Sequence, residues 1–304
     1  MKRDLRIVYM GTPEFAVPSL QVLVEAGYNV VGVITAPDKP KGRGQKVIPS
    51  PVKAYAEEAG LHILQPTNLK YPQFINDLER LKANLQVVVA FRMLPEVVWA
   101  MPEYGTFNLH ASLLPNYRGA APINWAIING EEKTGVTTFF LKHAIDTGNL
   151  IFQEEEAIKP NDNVGDLYSR LMERGSKLVL KTVQAIEAAA VQPKPQPTDG
   201  EWPHAPKIFK ETCQIDWNRK AEEVHNLIRG LSPYPAAWTS LEGKTLKIYE
   251  AKPDTEVKLP AGEFLIKDDG IWVGTSTDAL QLFQLQLEGK KRMNTQDFLR
   301  GYRK

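Results

Sequence analysis

The chain has 304 residues, 43 % hydrophobic and 24 % charged, an ordinary globular composition that excludes disordered, fibrous and collagen-like classes. Its net charge is +1, from 37 basic and 36 acidic residues, which excludes a uniformly basic coat for nucleic acid. A lone cysteine, Cys213, excludes an internal disulfide, and no apolar run reaches the roughly 18 residues a membrane helix requires. Asp4 and Arg6 interrupt anything resembling a signal peptide, so the cytoplasm is the expected compartment. The length predicts two domains.

In chain order, the apolar run Leu5 to Met10 predicts a strand that stops at Gly11, and Pro13 opens a helical pattern through Ala26. Strand and helix then alternate: a strand from Tyr28, a helix from Ser50, a strand at His62, a helix from Tyr71, a strand from Leu85, a helix from Leu94 and a strand from Gly105 to His110. Buried β-branched strands separated by helices imply βαβ crossovers, hence a doubly wound, mostly parallel α/β sheet covered on both faces. Gly11 stands alone without G-x-G-x-x-G, and no P-loop is present, so dinucleotide and nucleoside triphosphate sites are not indicated.

A further helix is expected from Asn163 to about Ala190. Five prolines between Val191 and Lys207 then read as a linker. Beyond a helix near Arg219 to Arg229, short alternating runs at WTSL, KTLKIYEA, GEFLIK, GIWVGT and ALQLFQLQL suggest a small OB-like β-barrel. The expected domains are therefore 1–190, a linker over 191–210, and a C-terminal domain over 211–304.

Two basic clusters stand out locally. Residues 37–51 hold Lys39, Lys41, Arg43 and Lys46 against Asp38 alone, and residues 290–304 hold six basic side chains, beginning with Lys290, Lys291 and Arg292, against Asp297 alone. Gly42 and Gly44 flank Arg43, which suits close approach to phosphate or a base edge, although such loops are commonly solvated excursions.

The densest chemistry lies at FNLHASLLPNYRG from Phe107. Asn108 and His110 are two apart and share one face of a strand, at what the alternation makes the carboxyl end of the sheet. An amide beside an imidazole suits the oxyanion and the leaving nitrogen of an acyl transfer; alternatively, both groups satisfy loop backbone. Asp146, in Asp146-Thr147-Gly148, offers a carboxylate at another strand end, either to orient His110 or to cap a turn. His62, His143, His204 and His225 lack metal-ligand spacing, and Cys213 lacks an activating neighbour.

GTPEFAVPSL from Gly11, DKPKGRGQK from Asp38, NLHASLLPNYRGAAPINWAI from Asn108, DTG from Asp146, SPYPAAW from Ser232 and EGKKRM from Glu288 resemble the methionyl-tRNA branch of the formyltetrahydrofolate-dependent formyltransferases, over nearly the whole chain. NxHxSLLPxYRG with a following D-x-G is shared by enzymes that take the formyl group from 10-formyltetrahydrofolate. GTPEFAVPSL with KGRGQK narrows the acceptor to initiator Met-tRNA. The resemblance implies a Rossmann-like catalytic domain, catalytic Asn108, His110 and Asp146, and a folate site that includes Ser112, Leu113, Leu114 and Pro115. It also implies tRNA contacts from Lys39, Lys41, Arg43, Lys46, Lys290, Lys291 and Arg292. A cytoplasmic monomer acting in translation initiation, without metal or membrane, is expected. Competing readings are a formyltransferase for a small amine such as an amino-sugar nucleotide, a formyl-folate hydrolase, and a non-enzymatic RNA-binding module. Arg92 departs from the resemblance, standing where relatives often carry glycine beside the pterin pocket, and is expected to turn to solvent.

Overall fold

The structure is a computed structural model that describes residues 2–41, 46–144, 146–197 and 199–302. It divides into two compact units, one of residues 1–118, 135–156 and 170–203, the other of residues 119–134, 157–169 and 204–304.

The first unit is built on a seven-stranded sheet: β1 (Arg6–Gly11), β2 (Asn29–Ile34), β3 (Ile63–Leu64), β4 (Leu85–Val89), β5 (Thr106–His110), β6 (Lys133–Phe140) and β7 (Leu150–Ala157), in the order β7-β6-β5-β4-β1-β2-β3. β1 pairs in parallel with β2 and β4, β2 with β3, and β4 with β5, whereas β6 runs antiparallel to β5. The doubly wound reading is correct, and the strand order reverses between β1 and β4. At such a switch point crossover helices leave to opposite faces and open a crevice above the strand ends. Gly11 ends β1 there; a Cβ on it would lie 2.7 Å from the Ala16 Cβ and 3.1 Å from the Val89 carbonyl oxygen, so only glycine admits the approach.

The helices around this sheet are α1 (Val17–Glu25), α2 (Pro51–Glu58), α3 (Pro72–Arg80), the short α4 (Glu96–Trp99) and, from its second turn onward, α6 (Val164–Glu187), whose place in chain order follows α5 (Pro122–Ile128). Val8, Met10, Ile34, Phe74, Leu78, Val88 and Val98 form one continuous core that joins β1, β2 and β4 to α3 and α4. Burial of each such side chain contributes about 1.5–3 kcal/mol. α6 buries Leu171, Leu178, Val179, Val183 and Ile186, an apolar stripe at helical spacing. Gly175 in that stripe lets Leu109 of β5 pack closely, 2.7 Å from the position a Cβ would take.

The second unit contains α5, α7 (Ala221–Leu231), α8 (Thr295–Gly301) and the strands β8 (Ala237–Leu241), β9 (Lys244–Asp254), β10 (Phe264–Lys267), β11 (Gly270–Gly274), β12 (Ala279–Leu287) and β13 (Met293–Asn294). The sheet order is β8-β9-β12-β11-β10, with β13 on β12, and every strand pair is antiparallel. The expected run of short strands is present. Among the described residues β8 and β10 are its two edges, so the pairing is that of an open, curved sheet rather than a closed barrel. A register shift between Ile248 and Ala251 bends the long β9. Val224, Leu227, Ile228 and Leu231 of α7 close its core over Leu246, Ile248, Leu280 and Leu282.

Candidate active site

β5 alternates as a period of two requires. Leu109 faces α6, while the Thr106 hydroxyl donates to the Trp99 carbonyl at 2.7 Å on the α4 side. Asn108 and His110 share the face of Thr106, toward the crevice. Asn108 is half-buried, and its amide has no hydrogen-bond partner among the described residues. His110 is buried, and its Nε2 lies 2.8 Å from the Tyr117 carbonyl oxygen. A carbonyl only accepts, so Nε2 carries a hydrogen and Nδ1 is the nitrogen left for chemistry. Nδ1 faces Asp146, whose Oδ2 is 3.9 Å away. That distance admits a charge interaction but no direct hydrogen bond.

Asp146 sits in the left-handed region at φ 54. A non-glycine residue held there costs about 1–3 kcal/mol and persists only where its surroundings impose it. Gly148 shows the constraint, because a Cβ there would lie 1.5 Å from the Phe140 carbonyl oxygen. The D-x-G spacing thus marks a turn pressed onto the end of β6. Its carboxylate side chain is mostly buried next to His110.

Ser112 to Pro115 form the turn after β5. Ser112, Leu114 and Pro115 are buried, and Leu113 packs over Gly135. The Ser112 hydroxyl donates to the Asn116 carbonyl at 2.6 Å. Thr137 donates to the Ser112 carbonyl at 2.6 Å and accepts from Leu114 N at 3.2 Å, and Gln153 donates to the Leu114 carbonyl at 2.9 Å. These bonds fix the turn that presents the Tyr117 carbonyl to His110. Thr137 and Gln153 carried no signal in the sequence, since they meet the turn only through β6 and β7.

The loop leaving β4 supplies a different chemistry. The N–H groups of Phe91, Arg92, Met93 and Leu94 have no acceptor among the described residues. Met93 is 72 % exposed. Free main-chain donors beside apolar surface at a sheet end fit a flat heterocycle with an acceptor edge. Arg92 corrects its expectation in part: its side chain is on the surface, but its guanidinium donates to the Thr67 carbonyl at 2.9 Å and also to the Pro66 carbonyl. Burial lowers its pKa from the ordinary guanidinium value. The arginine ties this loop to the turn after β3. Among the described residues no group of three or more His, Cys, Asp or Glu is placed to hold a metal ion.

The basic loop leaves β2 at the same sheet end. Its base is tied by four hydrogen bonds: Thr35 to Ser50 through their hydroxyls at 2.7 Å, Gln65 to Asp38 at 2.8 Å and to the Ala36 carbonyl at 2.8 Å, and Lys53 to Asp38. The bonds from Lys53, then Gln65, hold the Asp38 carboxyl below its usual range. The one acid of the cluster thus stays ionised, with its charge paired to Lys53. Lys39 is exposed on a small antiparallel pair of strands, Lys39–Lys41 and Lys46–Ile48. Lys41 and Lys46 lie on its strands, and Arg43 lies outside the described residues. In the second unit Lys290 and Lys291 are exposed, and the Arg292 guanidinium stacks 4.2 Å from the Tyr249 ring while donating to Gln284 at 3.0 Å.

Residues 5–183 match the family model for formyl transferase, and residues 207–303 match the model for the formyl transferase C-terminal domain. The chain belongs to the formyl transferase family. This formyl transferase is 56 % identical over 314 residues to the methionyl-tRNA formyltransferase of Bacteroides thetaiotaomicron, with 99 % of this chain and 97 % of that protein covered. It is 57 % identical over 318 residues to that of Phocaeicola vulgatus, with the same coverage. Among solved structures, the sugar 3N-formyl transferase WlaRD, crystallised in the presence of dTDP and 5-N-formyl-THF, shares the fold with a TM-score of 0.69 at 20 % identity, covering 95 % of this chain and 100 % of that one. HypX from Aquifex aeolicus, in complex with tetrahydrofolic acid, aligns with a TM-score of 0.67 at 20 % identity over 98 % of this chain, which spans about half of HypX, 47 %. No described helix of the formyl transferase is long and apolar enough to cross a membrane.

Proposed function

We propose that this formyl transferase moves the formyl group of 10-formyltetrahydrofolate to the α-amine of methionine on initiator tRNA, in the cytoplasm, as a monomer and without a metal. The observation that carries the chemistry is the convergence of an unpartnered Asn108 amide, the His110 Nδ1, which makes no direct hydrogen bond among the described residues, and the Asp146 carboxylate at one sheet end. The acceptor rests on 56 and 57 % identity to methionyl-tRNA formyltransferases over 99 % of this chain, whereas the sugar 3N-formyl transferase WlaRD aligns at 20 % identity.

An α-amino group has a pKa of about 7.7–8.0 and is already partly neutral at physiological pH, so no covalent enzyme intermediate is needed. When the amine adds to the formyl carbon, Asn108 donates to the oxyanion, and the Nδ1–H of protonated His110 donates beside it. Asp146 stabilises that imidazolium and takes the amine proton, directly or through water. As the bond to the folate nitrogen breaks, His110 gives that nitrogen its Nδ1 proton and regains one from Asp146, which holds the proton taken from the amine. Ser112 to Pro115 act as the buttress of the folate site, and the free N–H groups of Phe91 to Leu94 bind its heterocycle.

Residues 1–190 carry this chemistry, residues 211–304 contact tRNA, and 191–210 join them; the two family matches support that division. Lys39, Lys41, Arg43 and Lys46 meet the acceptor end, with Lys290, Lys291 and Arg292 as a second contact. The deciding experiment supplies labelled 10-formyltetrahydrofolate with Met-tRNA, an amino-sugar nucleotide, or water alone. Label is expected on Met-tRNA; transfer to the sugar amine, or release as formate at equal rate, would refute the assignment.

A further inference from the structure

Gln196 lies in the proline-rich stretch and is 6 % exposed. Its Nε2 donates to the carbonyl of Asp146 at 2.8 Å and to the carbonyl of Gly148 at 2.9 Å. On its other side, Nε of Arg118 donates to Oε1 at 3.2 Å, and Nη2 of the same guanidinium donates to it as well. The amide orientation is set by chemistry, since a guanidinium only donates and carbonyls only accept. Both amide hydrogens are thereby used on the Asp146–Gly148 turn, and the oxygen is saturated by arginine. The segment is anchored immediately before it, where Leu150 and Lys194 exchange backbone bonds of 2.7 and 2.9 Å.

The Asp146 turn needs such a clamp. Asp146 is left-handed at φ 54, and its carboxylate stands 3.9 Å from His110 Nδ1, where a small rotation of the turn would separate the charges. We propose that Gln196, oriented by Arg118, is a positioning residue for formyl transfer that holds the carbonyls on both sides of the Asp146 turn so that the carboxylate stays at His110. Arg118 belongs to the NxHxSLLPxYRG run, so the same run that supplies the catalytic pair also orients the clamp. The inference rests on the role given to Asp146 in the proposed reaction.

Two full-length variants separate clamping from mere packing. Gln196→Glu keeps an acceptor for Arg118 but has no hydrogen for the two carbonyls; Gln196→Leu removes both functions. Each is expected to lower the single-turnover rate by about tenfold or more, since misplacement by an ångström costs catalysis on that scale, with KM for Met-tRNA and for 10-formyltetrahydrofolate within about twofold. In an Asp146→Asn background the added loss from Gln196→Glu should shrink to about twofold, because the clamp acts through that carboxylate. A slow Asp146→Asn beside a Gln196→Glu of parental rate overturns the clamp alone. An undiminished loss in the Asp146→Asn background, or a defect confined to KM, also overturns it. Parental turnover by Asp146→Asn overturns the role of Asp146 itself and the clamp with it.

Discussion

His110 Nδ1 lies 3.9 Å from Asp146 Oδ2 while Nε2 of the same ring is committed to the Tyr117 carbonyl at 2.8 Å. One nitrogen is spent on orientation and the other is left for substrate. His110→Ala and Asp146→Ala are expected to lower kcat by about a hundredfold or more with tRNA affinity nearly unchanged, because both groups act mainly in the transition state. Asn108→Ala should behave likewise through loss of an oxyanion donor. Single-turnover rates check this, and a His110→Ala rate within about threefold of the parent would remove the imidazole from the mechanism.

The tied base of the basic loop predicts a substrate-selective defect. Lys53→Met severs the bond to Asp38 and restores an uncompensated carboxylate to the cluster. KM for Met-tRNA should rise by about threefold to tenfold, more steeply at low salt, while KM for folate holds. Arg43→Ala should weaken tRNA engagement by about 1–3 kcal/mol if its contact is bidentate, and Arg43→Lys should recover only part, since an ammonium keeps charge but not the planar fork. Steady-state kinetics at two salt concentrations measure both; equal changes in the two KM values would exclude acceptor reading by this loop.

Truncation is expected to be more damaging than the proline-rich sequence suggests. A fragment ending at Pro195 loses Gln196 and also Pro203, whose carbonyl accepts from Tyr117 N at 2.6 Å and steadies the turn that holds His110. It also leaves α5 without α7, where Asn124 donates to the Gly230 carbonyl at 2.8 Å and Ile128 packs over Gly230. Such a fragment should bind folate weakly and aggregate. Calorimetric folate binding equal to that of the whole chain would contradict this.

His225 on α7 supplies a pH prediction. Burial, then Arg229 and Lys252, lower its pKa to about 4. An unfolded imidazole protonates near pH 6.5, so between about pH 6.5 and 4 the unfolded chain binds a proton that the folded chain refuses. The stability present above that window is therefore lost as pH falls through it. Thermal melts should show Tm declining from pH 7 to pH 4.5, and His225→Gln should flatten the decline. Parallel slopes for the two proteins would assign the acid sensitivity elsewhere.

Sequence alone determined what depends on near neighbours. The apolar runs and their breaks define the strands and most helices, and a period of two is enough to put Asn108 and His110 on one face and Leu109 on the other. Tertiary structure decided what depends on residues far apart in the chain. The alternation of strand and helix does not specify that β6 turns antiparallel beside β5, or that α5 belongs with α7, because edge pairing and helix packing are settled by distant partners. The same reason hid Gln196, which reads as linker among its prolines. Its function exists only because Arg118, 78 residues away, and Asp146, 50 residues away, are folded against it. Likewise the choice of Nδ1 as the reactive nitrogen rests on one carbonyl, Tyr117, that no side-chain pattern can announce.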